Sequence, residues 1–165
     1  MFNILSQTLL LLLLSGLVLP AQTTGQAPHE ENLYLTAFSA YLSKRNEMYE
    51  STEGLKKRDY LNVLVESDIN LNKDFPTKIG RNTIEYLEHA ARMRKFDKLR
   101  QPFRLIVFRP MENAGNKVVI SFAEYMWSYK RNGFLYSLSD GAQVVFRFDC
   151  EKQSFIVDKV ELWGI

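Results

Sequence analysis

Four runs in the last third of the chain decide the fold: FRLIVF at 103–108, VVISFAEYMWSY at 118–129, FLYSLSDGAQVVFRFD at 134–149 and FIVDKVELW at 155–163. Each is rich in β-branched and aromatic residues, which suit a pleated, half-buried surface. Short turn-forming segments separate them: Asn-Ala-Gly-Asn at 113–116, Asn132-Gly133, and Glu-Lys-Gln-Ser at 151–154. Asn-Gly between apolar runs is a strong hairpin signal. Asp140-Gly141 has two readings, a tight turn or a bulge inside one long strand. Three or four long antiparallel strands follow. An amphipathic sheet of that kind needs one face covered, so the upstream chain is expected to supply helices.

Working outward toward the N-terminus, the segment 32–48 has helical spacing, with Leu35, Phe38, Tyr41 or Leu42, Arg45 and Met48 three to four residues apart. A second short helix is expected from about Leu55, with Tyr60, Leu61, Leu64 and Val65 on its apolar face. Ile69 to Leu71 alternates as a short strand, and Pro76 places a loop around Asp74. A third helix is expected from the region 77–80 through Ile84, Leu87, Ala91 and Leu99. Its polar side, Arg92, Arg94, Lys95, Lys98 and Arg100, reads as a solvated face near a helix C-terminus, where cations are favoured. The expected architecture is α+β, three N-terminal helices packed on a curved, mainly antiparallel sheet.

Before Glu30 the sequence holds no charged residue, and an apolar run spans residues 4–19. A secretory signal has an apolar core of ~7–15 residues followed by small residues at the cleavage point. Pro20-Ala21 ends the run, and Ala21 or Gly25 fits the last residue removed. The organisation expected is a signal peptide at 1–25, a flexible tail at 26–31 and one domain at 32–165, with the protein secreted. The rival is a membrane anchor from an uncleaved leader, which wants ~20 apolar residues; Ser6, Gln7 and Thr8 shorten the run.

Removing the leader leaves a length suited to a single core. The formal charge of +2 is too small a bias to imply binding to nucleic acid, or to a membrane after cleavage. Cys150 is the only cysteine, which excludes an internal disulfide; it reads as a half-buried thiol near a strand end, or as one half of an intermolecular bridge.

The order of elements resembles the NTF2-like superfamily, the cone fold of nuclear transport factor 2, ketosteroid isomerase and the SnoaL-type cyclases. The resemblance rests on Leu-Asn-Val-Leu-Val-Glu-Ser-Asp at 61–68, Ile-Gly-Arg-Asn-Thr-Ile at 79–84, Val-Val-Ile-Ser-Phe-Ala-Glu-Tyr at 118–125, Val-Val-Phe-Arg-Phe-Asp at 144–149 and Ile-Val-Asp-Lys-Val at 156–160. It implies an NTF2-like cone enclosing a pocket. Phe38, Tyr125, Trp127, Val144, Phe146, Phe148, Val160 and Leu162 would line it, either holding a small apolar ligand or filling the cone as core. The alternation Val119, Ser121, Ala123, Tyr125 inward would put Glu124 outside. Ile120, Phe122, Val145 and Trp163 would then form an outer sheet face suited to a homodimer.

Chemistry is sparse. Under the resemblance an isomerase would need a carboxylate base near Lys73, where Asp74 lies one residue away, and an acid where Val144 stands, which cannot donate a hydrogen bond. Asp74, Glu124 and His89 are the weak candidates for a lyase or isomerase acid or base. No metal-ligand spacing, nucleophile relay or phosphate loop is present, so no metal and no cofactor are expected. The function expected is a secreted domain that binds a small apolar ligand in its cone or acts as a dimeric interaction module. It is more in keeping with a binder than with an enzyme; the lyase or isomerase is the alternative.

Overall fold

The computed structural model describes residues 32–53, 56, 60–67, 75–99, 101–130 and 133–164. The leader, the tail, the strand expected at 69–71 and Asp74 lie outside the described residues. Residues Glu31–Ile165 form one compact unit. In chain order its elements are α1 (Leu33–Glu50), β1 (Asn62–Glu66), β2 (Lys78–Ile79), β3 (Asn82–Leu87), α2 (His89–Leu99), β4 (Phe103–Phe108), β5 (Glu112–Ala114), β6 (Lys117–Lys130), β7 (Gly133–Asp149) and β8 (Ser154–Trp163).

The three-helix cone is overturned. Among the described residues there are two helices and a mixed eight-stranded sheet in the order β2-β3-β1-β4-β6-β7-β8, with β5 added beside β6. The stretch expected to be the second helix contains β1, whose Val63 and Val65 are buried on one side of the strand. The first half of the expected third helix is the β2–β3 hairpin. There Asn82 and Ile84 are buried while Thr83 and Glu85 are exposed, a period of two rather than 3.6. Gly80 turns that hairpin at φ 56°, a left-handed conformation that glycine adopts without strain. Strand β1 runs parallel to both β3 and β4, while β4, β6, β7 and β8 are antiparallel neighbours. Helix α2 sits in the β3-to-β4 connection, which joins strands of the parallel part as parallel pairing requires.

The two helices serve opposite faces. Ala37, Phe38, Tyr41 and Leu42 of α1 pack with Val63, Val65, Ile106, Ile120, Phe122, Val144 and Phe146. The intervening residues point the other way: Leu87, Phe103, Leu105 and Trp127 form a second cluster, against which Ala91 and Met93 of α2 pack. A sheet covered on both sides carries apolar residues at both parities, and this is why strand alternation misleads here.

Strand β6 shows the consequence. Val118, Ile120, Phe122 and Glu124 face α1, while Ala123, Tyr125 and Trp127 occupy the other parity. The expected inward set of β6 is therefore wrong by one residue, and Ile120 and Phe122 are core rather than outer surface. The register of β6 against β7 shifts between Glu124 and Tyr125, where Ser139 is the extra residue. Asp140-Gly141 thus lies in one bulged 17-residue strand and makes no turn.

Candidate functional site

Among the described side chains on the α1 face of β6, the charged one is Glu124, 1% exposed. Tyr41 and Arg45, one helical turn apart on α1, both reach down to it. Tyr41 Oη donates to Glu124 Oε2 at 3.0 Å. Arg45 Nε donates to Oε2 at 3.1 Å and Arg45 Nη2 to Oε1 at 3.2 Å, the fork geometry that suits guanidinium to carboxylate. Arg45 Nη1 donates to the Tyr60 carbonyl at 2.9 Å. From β4, Arg104 Nη1 reaches Glu124 Oε1 at 3.4 Å and Asp140 Oδ2 at 2.8 Å, and also bonds the Tyr49 hydroxyl. The pairings Ile106 to Glu124 and Glu124 to Asp140 bring these three strands into line. The Tyr49 ring lies under both guanidiniums, 4.7 Å from that of Arg45 and 5.5 Å from that of Arg104.

Two guanidiniums balance two carboxylates. Burial pushes the Glu124 carboxyl up, but Arg45 first and then Arg104 and the Tyr41 hydroxyl outweigh it, leaving Glu124 below the usual carboxylate range. Burial, and then the Glu124 charge, raise the Tyr41 phenol well above its ordinary value. Asp140 moves up, by burial and by repulsion from Glu124. A carboxylate accepts about four hydrogen bonds, and Glu124 receives four, from Tyr41, twice from Arg45 and from Arg104. It is ionised, saturated and weakly basic, the reverse of a general base poised near neutral pH.

Among the described residues, hollows open at two places beside α1, one of them against this network. A cleft of about 300 Å³ opens beside Arg45, Arg104 and Glu124, walled by Asn62, Val63, Gln101, Ile106 and Met126. It lies where β1 and β4, paired only at Val65 and Ile106, diverge. A second of about 430 Å³ is lined by Ser39, Ser43 and Asn46 of α1 and by Gly80, Arg81 and Asn82 of the β2–β3 turn. Between α1 and the central strands, aromatic rings pack directly on one another. Phe38 meets Phe108 and Phe122 at 4.8 and 5.5 Å between ring centres, and Tyr41 stacks on Phe122 at 5.1 Å.

The expected site residues therefore divide. Phe38, Val144 and Phe146 are buried in the α1-side core, and Val160 and Leu162 pack against it. Phe148 shares their parity but is exposed, lying against Phe155 near the far end of β7. Tyr125 and Trp127 are on the opposite face, so the structure does not bring them together with the rest. Trp127 belongs to the α2-side cluster, and Tyr125 is capped by Arg109, whose Nη2 is 2.5 Å from its hydroxyl. His89 is exposed at the start of α2, its Nδ1 3.3 Å from Arg92. Glu124 points inward, contrary to expectation. Arg92 is not part of a solvated face: it is buried and bonded to Glu66. Cys150 is exposed rather than half-buried.

Sequence reasoning missed Arg45, Tyr41 and Arg104 as partners of Glu124, and Asp140 as a partner of Arg104. One signal was present, an arginine on the apolar stripe of α1 and a glutamate in an apolar strand. Unpaired burial of either charge is costly, so each called for the other. Among the described residues no cluster of three or more metal-ligating side chains occurs.

The last feature is on the surface. Leu138, Leu135 and Tyr136 are 59%, 49% and 48% exposed, and Trp163 is 38% exposed. Because of the Ser139 bulge, Tyr136 and Leu138 share the face of Tyr125 and Trp127, with Tyr136 edge-on to both rings at 6.2 and 5.6 Å. The Trp163 indole lies over Gly141, close enough that an added Cβ would collide with it. No family model, curated protein or solved structure matches this chain.

Proposed function

We propose that this protein is an exported interaction module that binds a protein partner through the exposed apolar surface of β7 and the end of β8. One observation carries the reading: among the described residues, the exposed Leu138 and Tyr136 of β7 share one face of the sheet with the half-exposed Trp163 of β8, and Leu135 is exposed on the other face of the same strand. Scattered exposed apolar residues are ordinary, but a contiguous group on a rigid sheet marks a docking surface. Tyr136 and Trp163 are of the type that anchors interfaces, each giving large contact area at small entropic cost. Two further features support it. Among the described residues, aromatic rings pack against one another under α1, in keeping with a filled core rather than a ligand cone. The inward carboxylate is neutralised and saturated, which does not suit a lyase or isomerase base. The apolar run at 4–19, free of charge, supports export.

Native mass spectrometry of the protein purified from its own secreted source tests the proposal. The expected species is a protein–protein assembly without a small-molecule adduct. A monomer carrying a retained small molecule overturns it and points to a ligand cavity instead.

A further inference from the structure

Strand β7 outlasts its outer neighbour. Strand β8 pairs with β7 from Asp149 back to Gly141 and ends there at Trp163. Strand β6 continues beside β7 to Gly133. Among the described residues, no strand pairs with the outer edge of β7 from Gly133 to Leu138, and Gly164 lies against Ser139 and Asp140 beyond it. Such an edge offers a row of unused backbone donors and acceptors, and folded proteins ordinarily blunt it with charge, proline or brevity. Here the sequence of 133–139 is Gly-Phe-Leu-Tyr-Ser-Leu-Ser, seven residues without a charge or a proline.

We infer that this edge pairs with the same edge of a second copy of the chain, antiparallel about a two-fold axis near Tyr136. The inference rests on the interaction reading above and names its partner. Three observations favour a second copy. A two-fold contact must be self-complementary, and an uncharged segment laid antiparallel on itself meets no like charge. Apolar side chains flank the edge on both faces, Leu135 on one and Tyr136 and Leu138 on the other, so the same strand supplies matching rows on each side of the seam. The lane beside β7 is closed at one end by Gly164, which follows Trp163 and lies against Ser139 and Asp140, so an entering strand meets the edge over residues 133–138, the length of the open edge itself. A seam of six residues runs about 20 Å. Stable interfaces bury ~1,200 Å² or more in total, so edge pairing needs the added contacts of Tyr136, Leu138 and Trp163, and a concentration-dependent dimer is expected.

Sedimentation velocity of the purified chain across a hundredfold concentration range is the test. A monomer–dimer equilibrium is expected, with dimerisation lost in Leu135→Lys and in Leu138→Lys and kept in Met111→Lys, an exposed site remote from the edge. Far-ultraviolet circular dichroism checks that each variant folds. Tyr136→Cys combined with Cys150→Ser should form an intermolecular disulfide on mild oxidation, because residues near the dyad face their own copies. A monomer at every concentration overturns the homodimer but leaves a different protein partner possible by native mass spectrometry. A dimer that survives both lysine substitutions overturns the edge geometry.

Discussion

Arg45 and Glu124, 79 residues apart in the chain, are joined by a two-point contact in which Nε and Nη2 of the guanidinium meet the two carboxylate oxygens at 3.1 and 3.2 Å. It fastens α1 to the middle of the sheet. Neither group has an alternative partner in water, being 4% and 1% exposed, so the pair is a fixed part of the fold.

Removing Arg45 takes away the closest cation and leaves the buried Glu124 carboxylate only the Tyr41 hydroxyl and the longer Arg104 contact; breaking a buried pair on one side costs about 3–5 kcal/mol. Arg45→Met should therefore lower the urea midpoint sharply. Arg45→Met with Glu124→Leu should recover most of the loss, because two apolar groups of similar volume leave no charge unpaired. Equilibrium urea unfolding of the two single variants and the double variant measures this as a double-mutant cycle. Additive losses would mean that the pair does not couple.

The pH dependence follows from the direction of the Glu124 shift. Its folded-state value lies below the ordinary range, and the unfolded value is about 4.3. The contribution is complete above about pH 4.3 and is lost as pH falls through the lower folded value. Asp140 is raised; its contribution has the opposite sign, present below its unfolded value and lost as pH rises. Stability against urea should fall as the pH drops below about 4.3, and Glu124→Gln should flatten that part of the profile relative to the parent. An unchanged slope in the variant would assign the acid sensitivity elsewhere.

Gly141→Ala places a methyl group into the Trp163 indole, with an expected cost of about 1–3 kcal/mol. The ring sits near the end of the described chain and can swing outward, so tryptophan emission should shift to the red. Trp127, the other tryptophan, stays buried and serves as the reference. Trp163→Ala should make Gly141→Ala nearly neutral in urea unfolding.

Gly80→Ala forces a side chain into the left-handed region at φ 56°. No atom stands within 4 Å of the added Cβ, so the expected loss, about 1–2 kcal/mol, is conformational rather than steric. Thermal unfolding measures it. A loss several times larger would point to a packing role for the β2–β3 turn.

Cys150 lies exposed in the turn between β7 and β8. Native protein should react with a thiol reagent in full and at a rate little changed by denaturant. Slow reaction that accelerates on unfolding would show the thiol to be covered in solution, by a partner or by the chain.

Reading the sequence located α1, the hairpin-forming runs from 103 onward and the turns at 113–116 and 151–154, because each was signalled locally. Asn32 caps α1 by accepting from the Leu35 amide at 3.1 Å, and turn residues separate uninterrupted β-forming runs. The stretches 62–66 and 77–87 were misread as helix. They are short, and their apolar residues fit either period when a few matches are all there is.

What the sequence determined by itself was the supply of strands, the aromatic weight of the core and the presence of one arginine and one glutamate in apolar settings. The tertiary structure decided which residues face which layer. With α1 on one face and α2 on the other, both parities of β6 are apolar, so alternation could not assign Glu124 to a side. Only the register of β6 against β4 and β7, and the helix laid across them, put Arg45, Arg104 and Asp140 within reach of it. The open edge of β7 was equally invisible, since an edge is defined by where a neighbouring strand stops, and β8 stops at Trp163.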